Sequence, residues 1–172
     1  MRRTIQGLTS ASLIDTKIAG NVFKSSARGT SGGVNIDKGV NTTFAGNDVI
    51  GNLFGIRFAQ ESINNTIVGN HVIGNPSAIL VFVSSFGTKI LSNVTRRFKY
   101  VGIVVADSEQ ANAKVLGNDI SGSNVGMFVS NIKGGSVTGN RVHNTCAGVL
   151  FAADLPGPVG NFEVKGKHCQ EQ

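Results

Sequence analysis

The stretch "TIVGNHVIGN", residues 66–75, sets Gly-Asn behind the β-branched pair Ile67-Val68 and repeats Gly-Asn five residues later. Its meaning comes from its copies. "IAGNVF" begins at Ile18, "FAGNDV" at Phe44, "IVGNHV" at Ile67, "ILSNVT" at Ile90, "VLGNDI" at Val115 and "VTGNRV" at Val137. A degenerate seventh copy, "VKGKHC", begins at Val164. The motif Asn therefore falls at Asn21, Asn47, Asn70, Asn93, Asn118 and Asn140, in steps of 26, 23, 23, 25 and 22 residues. A period in this range, slightly variable in length, marks a solenoid whose insertions are absorbed in loops.

Between the copies lies a second recurring element: "GVNID" at Gly33, "GIRFA" at Gly55, "AILVF" at Ala78, "GIVVA" at Gly102, "GMFVS" at Gly126 and "GVLFA" at Gly148. Apolar residues alternate in short runs bounded by Gly and Asn, which is the strand pattern rather than the 3.6-residue helical one. Short strands and turns in coils of this length wind as a parallel β-helix, each strand pairing with its counterpart roughly 4.8 Å away. Three inward ladders follow. Ile18, Phe44, Ile67, Ile90, Val115, Val137 and Val164 form one. Phe23, Val49, Val72, Thr95, Ile120, Val142 and Cys169 form the second, and Ile56, Ile79, Ile103, Met127 and Val149 the third. Gly and Asn suit the sharp turn because they tolerate left-handed backbone angles, and a column of Asn can share amide hydrogen bonds along the stack. That explains the motif without catalysis.

The pattern seen as "GNDVIGNLFGIRF" from Gly46 and "GNDISGSNVGMFV" from Gly117 resembles the right-handed parallel β-helix repeats of the pectin-lyase-like superfamily, from about Ile18 to Gly166. That superfamily includes pectate lyases, polygalacturonases, alginate epimerases, phage tailspikes and the NosD-like periplasmic proteins. The expected fold is thus all-β: a single-stranded right-handed parallel β-helix solenoid of about seven coils, 22–27 residues per coil. One domain covers 1–172, with 1–17 an irregular first coil or N-terminal cap and 155–172 a last partial coil and polar tail. Either the chain is cut from a longer protein, or the first coil caps itself with Arg2 and Arg3. The resemblance implies polysaccharide binding or processing on an outer face.

Composition narrows the function. The 172 residues include 23 Gly and 17 Asn but only 15 % charged residues, where roughly 25 % is usual. Sixteen Lys and Arg against ten Asp and Glu give a formal charge of +6, which favours anionic partners. No run of 18 apolar residues exists, so no membrane span is expected, and no secretory signal follows the two Arg at the start. The compartment stays open: extracellular or periplasmic, if the chain belongs to a longer protein. Cys146 and Cys169 lack metal-ligand spacing, so no metal or cofactor is expected, and one bridge or two thiols are both open.

Polysaccharide-processing chemistry needs paired carboxylates, or an acidic cluster that holds calcium beside a base. Asp48 and Asp119 share an outward column but lie three coils, roughly 14 Å, apart, beyond the roughly 5–9.5 Å of carboxylate pairs. His71 follows Asp48 in that column and makes an acid/base pair with it conceivable; Asp107 and Glu109 in "ADSEQ" are the other acidic candidates. No lyase, hydrolase or epimerase signature is present, so enzyme activity, a polysaccharide lyase or epimerase using these residues, is the alternative reading.

Basic residues cluster better. "TRRFKY" gives Arg96, Arg97 and Lys99 with Phe98 and Tyr100 interleaved, and Arg141 and His143 lie on a nearby face. This patch suits an acidic polysaccharide, with nucleic acid disfavoured. The outward positions of the Gly-led strand carry Leu80, Phe82, Val104, Phe128 and Leu150 where a water-facing sheet would be polar. Such a stripe calls for a cover, and a second copy of the chain is the favoured one. The leading expectation is a non-catalytic binding or structural module that self-associates through this face, with a purely structural segment of a surface or tail-fibre protein as a third reading.

Overall fold

The computed structural model describes residues 7–25, 32–122 and 124–153, together with the backbone of 4–5, 160–165 and 168–170. These residues form no helix; parallel strands stack as a β-solenoid of about six turns. Seven copies of the motif bound six turns.

Each turn supplies three strands. The strand before Gly-Asn builds what we term the leading face: Lys17–Ala19, Thr43–Ala45, Thr66–Val68, Lys89–Leu91 and Ala113–Leu116. The strand after it builds the trailing face: Val22–Lys24, Asp48–Ile50, His71–Ile73, Val94–Arg96, Asp119–Ser121 and Arg141–His143. The Gly-led strand builds the long face: Leu8–Ala11, Val34–Asp37, Ile56–Ala59, Ser77–Phe82, Val101–Ser108 and Ala147–Ala152. Val125–Thr138 runs without a break through the long face and into the leading one.

Register follows the inward ladders. Phe44 pairs with Ile67, Ile67 with Ile90 and Ile90 with Val115, all fully buried. Val49, Val72, Thr95 and Ile120 stack on the trailing face, and Ile56, Ile79, Ile103 and Met127 on the long face. The β-branched residues fit because their side chains stand off a pleated sheet in one rotamer each.

Between the leading and trailing faces runs the asparagine ladder. The Asn70 amide N–H and Nδ2 both donate to Asn93 Oδ1 at 2.9 Å, and Nδ2 also donates to Phe44 O at 2.9 Å in the coil before. Asn47, Asn93 and Asn118 repeat all three bonds. From Asn47 to Asn118 each side chain is at least 99 % buried, so the ladder satisfies backbone groups that the sharp turn would otherwise strand. The turn itself uses left-handed backbone: φ is +62° at Gly69, and Ser92, which replaces Gly in its copy, holds +51°. A shorter ladder joins Asn52 to Asn75, five residues past the motif Asn. Phe98 holds the corresponding place in the next coil, buried against Gly102 and Gly122.

Two stability changes are expected. Asn70→Ala unpairs groups on Asn47, Phe44 and Asn93, and at about 1–3 kcal/mol for a buried unpaired group the loss should be about 3 kcal/mol, read as a lower urea midpoint at unchanged slope. Thr95 puts a hydroxyl without a hydrogen-bond partner into an apolar column. Thr95→Val should therefore raise stability by about 1 kcal/mol in the same assay.

Candidate functional site

The coil from Asn93 to Asn118 spans 25 residues, against 23 for each of the two before it and 22 for the one after. Relative to the preceding coil it carries one extra residue at each end of the long face. Asn70 to Ile79 is nine steps where Asn93 to Ile103 is ten, and Ile79 to Ile90 is eleven where Ile103 to Val115 is twelve. An added residue cannot stay in register with its neighbours, so it bulges outward. Two open depressions result, one at each corner.

The first depression, about 600 Å³, is lined by Arg96, Arg97, Phe98, Lys99, Ser121 and Gly122. Its wall is the bulge, where the amides of Lys99 and Tyr100 both donate to Pro76 O at 3.0 and 2.8 Å. Arg97 and Lys99 are exposed, Arg97 with a left-handed φ of +54°. Tyr100 is 52 % exposed, and the Lys99 ammonium lies 5.1 Å from its ring centroid. The "TRRFKY" residues thus divide: Arg97, Lys99 and Tyr100 face solvent, while Phe98 belongs to the core.

Arg96 is committed elsewhere. Its guanidinium donates to the Asp119 carboxylate in the next coil through Nη2 and to Asp119 O through Nη1, the latter at 3.0 Å. His143, one coil further, places Nε2 3.0 Å from Asp119 Oδ1, and Arg141 is the strand partner of Asp119. Partial burial raises the Asp119 carboxyl, but hydrogen bonds from Arg96 and His143 and their charges outweigh it, so the net shift is downward from 3.8. Asp119 is the hub that sequence reasoning left out of the site. The signal was the register, which lays Val94 on Asp119 and Arg96 on Ser121, with Ser121 in turn on His143.

The acidic candidates separate. His71 Nδ1 lies 3.2 Å from Asp48 Oδ1 across adjacent coils, on the open trailing face and outside both depressions. Asp107 accepts from Asn131 Nδ2 at 2.9 Å and Glu109 from Lys133 Nζ at 2.8 Å, each reaching across one coil. The Lys133 hydrogen bond, then its charge, lower the Glu109 carboxyl against a small opposing effect of burial. The two acids are thus tied to separate partners.

On the long face, Leu80, Val104, Phe128 and Leu150 share one outward column, and Phe82 stands in the next. Leu150 is 44 % exposed, whereas the other four are half-buried. Arg57 closes the other end of the stripe: it lies over the Phe82 ring at 4.8 Å and pairs with Asp37 at 2.8 Å.

The architecture is that of a β-helix repeat protein, built on a repeating corner. A family model for NosD, described as periplasmic copper-binding protein, matches residues 26–155, and the chain belongs to that family. No curated protein and no solved structure gives a significant match. Copper prefers imidazole, thiolate and thioether donors. The chain has three His, two Cys and two Met. Among the described residues no three of His, Cys, Asp and Glu come together, and Met127 is fully buried in the core. His71 and His143 belong to separate carboxylate pairs; the side chains of His168 and Cys169 lie outside the described residues. The described side chains therefore do not fit a copper centre with three or more of these donors.

Acid titration tests the hub. A carboxylate with a lowered folded-state pKa contributes stability that is fully present above its unfolded value and is lost as pH falls through the folded value. Melting temperature followed downward from about pH 5 should therefore fall more steeply for the wild type than for Asp119→Asn, whose contribution is missing at every pH.

Proposed function

We propose that this chain is a non-catalytic β-helical binding module that takes an anionic polysaccharide at the corner of Arg97, Lys99 and Tyr100. The observation that carries this reading is the open depression of about 600 Å³ flanked by two exposed cations beside a half-exposed aromatic ring. Asp119, in the coil beside the opening, is paired with Arg96 and hydrogen-bonded to His143, which leaves Arg97 and Lys99 to set the charge of the opening. Arg97 offers a planar fork suited to a carboxylate or sulfate group, and the Tyr100 ring offers a face for sugar C–H groups. Arg141 extends the basic surface along the axis of the stack. The family's periplasmic description supports a setting outside the cytoplasm, where polysaccharides are met.

What supports a binding rather than a catalytic role is the state of the acids. Asp107, Glu109 and Asp119 are each held by a neighbour in an adjacent coil, and the Asp48–His71 pair lies outside the two depressions described. A general acid or base has to reach the substrate atom that exchanges the proton.

Titration with polygalacturonate at low salt should show saturable binding that weakens as salt is added. The double variant Arg97→Ala/Lys99→Ala should lose about tenfold in affinity and most of the salt dependence. Absence of binding to any polyanion at low salt would remove this reading, and a preference for single-stranded nucleic acid over polyuronate would redirect it.

A second reading concerns the long face. Its accessible outward positions Leu80, Phe82, Val104, Phe128, Leu150 and Ala152 carry no charge, so a second copy laid against it about a two-fold axis meets no like-charge repulsion there. Sedimentation should show a dimer at micromolar concentration, and Phe128→Asp should shift it to monomer. A wild-type monomer under those conditions would leave the stripe as a partly self-covered surface.

A further inference from the structure

The second depression, at the other end of the long face, has chemistry opposite to the first. It measures about 370 Å³ and is lined by Ser84, Ser85, Phe86, Ser108, Glu109 and Gln110. Like the first, it arises from the 25-residue coil: Phe82 to Lys89 is seven steps, whereas the matching Ala106 to Lys114 is eight. The additional residue lets Glu109 and Gln110 form a turn beside Phe86.

Four features together suit a ligand. Phe86 is 40 % exposed, an aromatic ring in an outward column rather than in the core. The floor is rigid, because Ser108 Oγ accepts from the Ser85 amide at 2.9 Å and donates to Ala106 O at 3.2 Å, while Ser85 Oγ donates to Phe82 O at 2.9 Å. The rim turns sharply: Val83 and Ser84 both hold φ of +57°, a left-handed backbone that is rare at a β-branched residue. The polar groups have a definite sense, because Lys133 Nζ donates to Glu109 Oε1 at 2.8 Å and leaves Oε2 to accept from a hydroxyl. Gln110 both donates and accepts.

We propose that this corner binds an uncharged saccharide, with one sugar face against Phe86 and hydroxyls on Glu109 and Gln110. The Glu109–Lys133 ion pair leaves no net charge at the corner, which suits a neutral ligand, and among the described residues no third His, Cys, Asp or Glu joins Asp107 and Glu109 to hold a metal cation. A ligand with an apolar face and a hydroxyl rim matches one ring beside a few convergent polar groups. The site is independent of the basic corner, since the two lie at opposite ends of the Val101–Ser108 strand.

Ligand-observed NMR on the full chain, with a panel of neutral gluco-, manno- and xylo-oligosaccharides, tests this. At least one series should bind, with affinity falling about tenfold in Phe86→Ala and in Gln110→Ala and kept in Phe86→Tyr. Gln110 is exposed, so its variant keeps the test valid if Phe86→Ala folds poorly. Arg97→Ala/Lys99→Ala should leave neutral-sugar binding unchanged while weakening polyuronate binding. The proposal is overturned if no neutral oligosaccharide binds, if Gln110→Ala binds as well as the wild type, or if binding disappears with Arg97 and Lys99 instead.

Discussion

A buried asparagine in each coil has to hydrogen-bond to the coil before it and the coil after it, and this requirement sets the register of everything else. The side chain of Asn70 reaches Phe44 on one side and Asn93 on the other, with little room for a shifted alignment. In a sheet of period two, a slip of one residue would turn the buried Ile and Val outward. The ladder therefore does more than relieve stranded backbone groups. It locks the inward columns, and through them the outward ones.

Because the ladder is rigid, differences in coil length have to be absorbed between its rungs. The coil from Asn93 to Asn118 is the clearest case. Its excess appears at the two corners of the long face, as a basic bulge at Lys99 and Tyr100 and a polar turn at Glu109 and Gln110. Phe98 assists by replacing an asparagine of the shorter ladder with a ring that fills the corner from inside and leaves the cations outside. An insertion in a solenoid thus builds a depression without disturbing the core.

The fold was legible because its cause is periodic. Copies of "GN" flanked by β-branched residues specify strands, turns and stacking, and the paired residues of the inward ladders were readable by counting. The basic segment "TRRFKY" was visible too, but not its division, since Phe98 and Tyr100 are equivalent as letters and opposite in burial. Asp119 went unread as a hub because its partners Arg96 and His143 are remote in sequence and meet only through the register. Asp107 and Glu109 looked like a pair for the same reason in reverse: neighbours in sequence, they are drawn to Asn131 and Lys133 across the coil boundary.

By itself the sequence determined the solenoid, its period, its asparagine column and its membership of a β-helical class, because these depend on local backbone preference repeated many times. Only the tertiary structure decided which outward side chains meet. A charge or ring on a β-solenoid has its nearest non-local neighbours some 22–26 residues away, and whether it is paired, covered or open follows from coil lengths and corner geometry rather than from its own identity.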